Sequence, residues 1–243
     1  MKKFGVKILI YLVIIVFGFA CMNNEDAEPS ILVARSIFQE DSEGWEAGFA
    51  EYEEGLEDSM RLTFSHGSFM ASANIGSVSS VIQSGYATNS DLFMFIKSQI
   101  SNLEPNTDYS MIFNLELYAQ LNEKFIGDLT SSNSGSFLKA GSFKNEPGVT
   151  VIEDTDSNKR MVVTDFQKGE DENPGPNMVY LGKIIHTDVG DTPLLLIGTS
   201  EGSPILGTSD DEGKLWVVVG VDTNQPINQS IYYSYIGVQF RKN

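Results

Sequence analysis

Residues 109–118 read YSMIFNLELY. Met111, Phe113, Leu115 and Leu117 fall on one side of an extended chain, and Ser110, Asn114 and Glu116 on the other, with Ile112 the exception. A period of two marks a strand with one buried face, because successive side chains of an extended backbone point opposite ways. The pattern recurs outward in both directions. SMRLTFS (59–65) alternates, and DLFMFIKSQI (91–100) does so in part. Leu194–Ile197 and Leu215–Val219 are short, dense apolar runs that suit strands buried on both faces. IYYSYIGVQF (231–240) is rich in aromatic and β-branched residues. Turn-forming residues separate the runs, as in EPNT (104–107), NEPG (145–148), NPGP (173–176) and DDEG (210–213). The expectation is an all-β protein: a single β-sandwich of jelly-roll type over residues 31–243, with Phe113 and Trp216 facing inward.

The start of the chain has a different character. Lys2, Lys3 and Lys7 precede an uncharged run, ILIYLVIIVFGFA (8–20), which ends at Cys21, the sole cysteine. This resembles the signal peptide of bacterial lipoproteins, although Gly18 stands where that family usually has leucine. The resemblance implies cleavage before Cys21 and a diacylglycerol on its thiol. Residues 1–20 would then be a leader, and residues 21–30, acidic and polar, a lipidated tether. An ordinary secretory signal and a retained anchor are the competing readings. The run from Ile8 to Ala20 is shorter than the roughly 20 residues of a spanning helix. Lipidation places the protein in the bacterial cell envelope, at the outer membrane or cell surface, where two or three acyl chains hold a protein stably.

Charge narrows the partners. The net charge of −17 becomes −20 once Lys2, Lys3 and Lys7 leave with the leader. Such a surface repels phosphate backbones, which excludes nucleic acid. It also repels anionic head groups, so the acyl chains rather than the fold provide the membrane contact. No cysteine pair exists, and stability must come from an apolar core.

Several motifs resemble a group of uncharacterised exported bacterial proteins. DSEGWEAGFAEY (41–52) is similar to that group's "GW..GFADY" opening, and SDLFMFIK (90–97) to its "DDLFMFLKR" strand. LEPNTDY (103–109) matches "L.PNT.Y", FLKAG (137–141) matches "V.VKAG", and KLWVVVGVD (214–222) resembles "LW..VGTD", with Ile231-Tyr232-Tyr233 like a following "LYYD". The chain departs from the group at DFQKGED (165–171), where a "DKGNQ"-like stretch is usual, and at TNQPI (223–227), where "SGFEG" is usual. The resemblance implies export and a β-sandwich, and carries over no active site.

The chemistry-bearing residues are sparse. His66 and His186 are the only histidines, neither lies in a nucleophile motif, and both read as loop or strand-end residues. Paired carboxylates for glycoside hydrolysis have no distinguishing pattern among 33 acids. Asp154, Asp156 and Asn158 alternate as calcium ligands do, but Lys159 takes the place of the glycine such a loop needs, so an acidic hairpin turn competes with a structural calcium. The aromatic residues suggest sugar stacking. Trp45, in an acidic loop-like segment, is the first candidate for an exposed platform. Tyr232 and Tyr233 are adjacent, so a strand sends one of them outward. The leading expectation is a ligand-binding module for neutral glycans, followed by a structural or accessory envelope lipoprotein with a protein partner, and then by a glycan-active enzyme. No cofactor is expected beyond the calcium alternative.

Overall fold

A computed structural model describes residues 31–88, 91–121, 135–155, 157–184 and 193–243. The strands run in order β1 (Ile31–Ser36), β2 (Glu46–Ala50), β3 (Tyr52–Glu53), β4 (Thr63–Ser72), β5 (Gly76–Tyr86) and β6 (Leu92–Ile100). They continue as β7 (Asp108–Leu121), β8 (Ser136–Phe143), β9 (Val149–Asp154), β10 (Lys159–Thr164), β11 (Gly169–Glu170) and β12 (Asn173–Pro174). The last are β13 (Met178–Ile184), β14 (Leu194–Thr199), β15 (Ile205–Thr208), β16 (Leu215–Thr223) and β17 (Asn228–Lys242).

These strands form a β-sandwich. One sheet has the order β14-β7-β17-β5-β4, with β1 joined to β17 and β15 joined to β7. The other has the order β13-β8-β16-β6-β2. Pairing is antiparallel throughout both sheets. The chain changes sheet at most connections, for example β5 to β6, β6 to β7, β7 to β8 and β16 to β17. That alternation is the jelly-roll pattern.

The core lies between the sheets and follows the period of two. On β7, Met111, Phe113, Leu115 and Leu117 are buried, while Ser110, Asn114 and Glu116 sit at intermediate exposure on the other face. Leu215, Val217, Val219 and Val221 of β16 close the core from the opposite sheet. Each large side chain taken fully out of water contributes roughly 1.5–3 kcal/mol. Gln83 is one of the polar side chains buried inside. Its amide donates to the carbonyls of Gly48 (2.9 Å) and Phe95 (3.0 Å).

Two expectations are corrected. Leu194–Ile197 is not buried on both faces, because β14 is the end strand of its sheet, and Leu194, Leu195 and Ile197 are exposed. Trp216 does not face inward. It alternates with Leu215 and Val217, which fill the core, so its ring lies on the outer face of the five-stranded sheet at intermediate exposure. There the Lys97 ammonium stands 5.3 Å above it.

Candidate functional site

The residues singled out in the sequence do not gather in one place. Trp45 is 3% exposed, in the main core, so it is not a surface platform. The carboxylate of Glu43 turns back to accept the amides of Ile37 (3.2 Å) and Phe38 (2.5 Å), and this tight turn tucks Trp45 inward. The indole nitrogen donates to Ser36 Oγ at 3.0 Å, and the ring meets Phe38 edge-on. Tyr233 is also in the core, and burial pushes its phenol well above the ordinary value. Tyr232 points out from the seven-stranded sheet at intermediate exposure, its ring 4.3 Å from Phe69 and its hydroxyl donating to Gln120 at 2.8 Å.

Asp154 and Asn158 flank the β9–β10 hairpin turn. The Asp154 carboxylate accepts the Ser157 hydroxyl at 2.6 Å, and the Asn158 amide donates to the Asp154 carbonyl at 2.8 Å. Asp156 lies outside the described residues, as do Cys21 and His186. Among the described residues no group of three or more His, Cys, Asp or Glu side chains is arranged to hold a metal. His66 and Ser79 both bond to the Phe38 carbonyl, a turn-fixing role.

A different site is built on the outer face of the five-stranded sheet. Phe93 and Phe95 of β6 alternate with core residues and therefore point out, where they stack at 5.3 Å. The Phe93 ring lies over Gly220 of β16, and a Cβ there would meet ring carbon at 2.6 Å. Residues 165–177 cross above this aromatic floor. Phe166 packs against Phe95 (5.6 Å) and Phe143 (4.7 Å), making a second small core with Ala50, Met178 and Val218.

An ionic clamp holds the crossing segment. Asp222 Oδ2 accepts from Lys139 Nζ at 2.7 Å and from Lys168 Nζ at 3.2 Å, and all three side chains are buried. Both ammonium groups also donate to the Gly169 carbonyl at 3.1 Å. Gly169 has φ +72°, and a Cβ on it would lie 2.0 Å from the Asn173 carbonyl oxygen, so only glycine lets the β11–β12 ribbon close. Burial alone would lower the Lys168 ammonium, but Asp222, Glu51 and Glu170 outweigh it and hold it above the ordinary lysine value. Burial pushes the Glu51 carboxyl up, Lys168 pulls it back, and Asp222 and Glu170 push it up further.

Four separate stretches of the chain thus meet here: Glu51 after GFA, Lys139 in FLKAG, Lys168 in the 165–171 stretch and Asp222 in VGVD. Residues 165–171 and 223–227 also touch, through the Asn224 side-chain amide donating to Asp171 at 2.8 Å.

Beside the clamped segment opens a cavity of about 600 Å³. Phe143 and Phe166 form its apolar side, and Asn145, Glu146, Asp165 and Asn177 its polar side. Lys97 fixes Glu146 at 2.5 Å while lying over Trp216. Ser142 also lines the cavity, and its buried hydroxyl has no hydrogen-bond partner. None of these lining residues was singled out as a site residue from sequence. The sequence holds no signal for them, since the cavity joins a strand end, a turn and the crossing segment.

No protein-family model matches the chain, and no curated protein does. Solved structures give distant likenesses. One is TmCBM27, a carbohydrate-binding module described for specific mannan recognition, at 10% identity, with 87% of this chain and 99% of that chain covered and a TM-score of 0.39. A second is the K1 cleaved adhesin domain of Lys-gingipain from Porphyromonas gingivalis, at 9% identity, 87% and 99% coverage and a TM-score of 0.38. A third is the enzymatically active domain of tailspike protein 4 of bacteriophage CBA120, at 10% identity and a TM-score of 0.32, with 79% of this chain covered but only 19% of that one.

Proposed function

We propose that this protein is a lipid-anchored envelope module that binds neutral glycan in the cavity beside residues 165–177. The observation that carries this reading is the cavity's lining. Aromatic rings of Phe143 and Phe166 face amide and carboxylate groups of Asn145, Asn177, Glu146 and Asp165. A sugar presents one C–H face suited to stacking and a rim of hydroxyls suited to such groups. The volume falls inside the roughly 300–1,000 Å³ of small-ligand sites. The acidic surface disfavours anionic polysaccharides.

Titration with a panel of neutral oligosaccharides tests this, followed by tryptophan fluorescence. Trp216 is the cross-strand neighbour of Phe143 and reports on the cavity. Phe143→Ala should abolish the response. Binding unchanged by that substitution, or silence across the panel, overturns the reading. The anchor is tested separately: Cys21→Ser should release the protein from the membrane fraction or leave an uncleaved precursor. A wild-type mature mass lacking acyl chains would remove the anchor.

One observation favours the second reading, an accessory lipoprotein with a protein partner. Among the described residues β14 is an end strand, and it presents Leu195 and Ile197 outward, Ile197 at 77% exposure; exposed apolar side chains there suit a protein contact.

A further inference from the structure

The outer face of the seven-stranded sheet changes character around β1. Three rows of outward positions cross β1, β17 and β7 there: Ile31–Arg241–Ser110, Val33–Gln239–Ile112 and Arg35–Gly237–Asn114. Their neighbours along each strand point the other way, since Ala34 packs against the core and Ile236, Val238 and Phe240 are buried in it. Ile31 is 60% exposed and Val33 49%, and both arginines are open to water. Ile112, the exception to the alternation of β7, belongs to this face. None of the nine residues is acidic, in a chain with 33 acidic and 16 basic side chains. On β7 the next outward positions at either end are acidic, Asp108 and Glu116, so the patch is bounded. Among the described residues neither Arg35 nor Arg241 forms an ion pair. Exposed apolar side chains beside unpaired cations suit the boundary of an anionic bilayer.

We infer that this face lies against the bilayer that holds the lipid anchor, with Ile31 and Val33 at the head-group boundary and Arg35 and Arg241 on lipid phosphates. This rests on the lipid-anchor reading above and adds how the domain stands on the membrane. Chain length supports it. Ile31 stands ten residues after Cys21. Ten residues reach about 35 Å when fully extended and average roughly 16–19 Å as a flexible coil. A domain of this size is roughly 40 Å across, so the anchor keeps the β1 end nearest the lipid. The overall charge alone would leave membrane contact to the acyl chains, but that charge is unevenly spread. Charges more than about 8 Å away are largely screened at physiological salt, so the two local arginines decide the contact. The acidic remainder of the surface is repelled and turns to solvent. Tethering also supplies a high local concentration, so a patch too weak to bind a vesicle by itself still docks.

The test uses the full chain, expressed in a bacterium, purified from membranes and placed in vesicles of phosphatidylethanolamine with anionic phosphatidylglycerol. With Cys21 acylated, Val33→Cys offers the sole free thiol for an environment-sensitive fluorophore. Ile152→Cys, at an exposed position on β9 of the three-stranded sheet, is the control. The label at position 33 should shift to the blue and be quenched by a lipid-borne spin label, and the label at position 152 should do neither. Adding Arg35→Glu and Arg241→Glu, both at exposed positions, should abolish the two signals at position 33 while the protein stays with the vesicles. Exchanging phosphatidylglycerol for phosphatidylcholine should weaken them. Acyl chains on Cys21 by mass, with position 33 unquenched, overturns the inference and leaves the anchor standing. A mass without acyl chains overturns both. Contact at position 33 that ignores lipid charge and rises with protein density marks a second copy on this face and overturns the inference as well.

Discussion

Replacing Asp222 by Asn keeps the side-chain shape and removes the charge. In the native protein the Asp222 carboxylate lies 2.7 Å from one ammonium and 3.2 Å from another, all under the 165–177 segment and away from water. An amide can still accept one hydrogen bond, but Lys139 and Lys168 would then face each other with no anion between them. Lys139 is fully buried, so water cannot take over the lost solvation. Removing one partner of a buried ion pair costs about 3–5 kcal/mol, against about 5–15 kcal/mol for the whole of a typical domain's stability. With a urea m-value of roughly 1–3 kcal/mol/M, the unfolding midpoint should fall by about 1 M or more at unchanged slope. Lys168→Met is the informative control. It leaves a one-to-one Lys139–Asp222 pair, so its effect should be smaller. A loss under about 1 kcal/mol in Asp222→Asn would refute the clamp as a dehydrated ionic unit held by Asp222.

Phe113→Ala empties a site with no solvent contact and should cost about 3–5 kcal/mol, whereas Trp216→Ala, on the outer face, should cost clearly less. Equal losses in urea unfolding would place Trp216 in the core after all. The Glu51 carboxyl is held above its ordinary value of 4.5, so the stability it adds is full below that pH and is lost as pH rises through the raised native value. Glu51→Gln should therefore melt higher than wild type at pH 7 and gain little or nothing at pH 4, and a Tm difference independent of pH would contradict this. Gly169→Ala meets both positive φ and a carbonyl at 2.0 Å. It should open the β11–β12 ribbon, lower the melting temperature and weaken glycan binding together, and loss of neither would free the ribbon from any role in the site.

The sheet layers were legible wherever a strand has one wet face and one dry one. On β7 the alternation named the buried side chains directly, because its outer face meets water. The rule failed where the outer face is not wet. Trp216 read as core because it lies in LWVVV, yet Val218 beside it on the same face is also buried, under the second aromatic core. An apolar run marks a strand dry on both faces but not which residue looks which way. β14 fails in the opposite sense. LLLI reads as doubly buried, but its position at the sheet end leaves it exposed, and strand order is not written in local sequence.

The site was hidden for a related reason. Glu51, Lys139, Lys168 and Asp222 were not singled out in the sequence, and only the β2–β6–β16–β8 order brings Lys139 of β8 and Asp222 of β16 under the segment that carries Lys168. The quoted motifs were visible, but their convergence is a property of the topology. Trp45 misled because its acidic neighbours looked solvent-facing, while Glu43 spends its charge on two backbone amides. A charged residue in a loop can be there to hold the loop, and only its partners reveal which use it has. The same logic separates the proposed recognition cavity from the clamp. The clamp's charges bind one another and are buried, whereas the cavity wall carries the side chains of Asn145, Asp165 and Asn177 beside Phe143 and Phe166. Polar side chains beside half-buried rings are where a sugar gains most on leaving water.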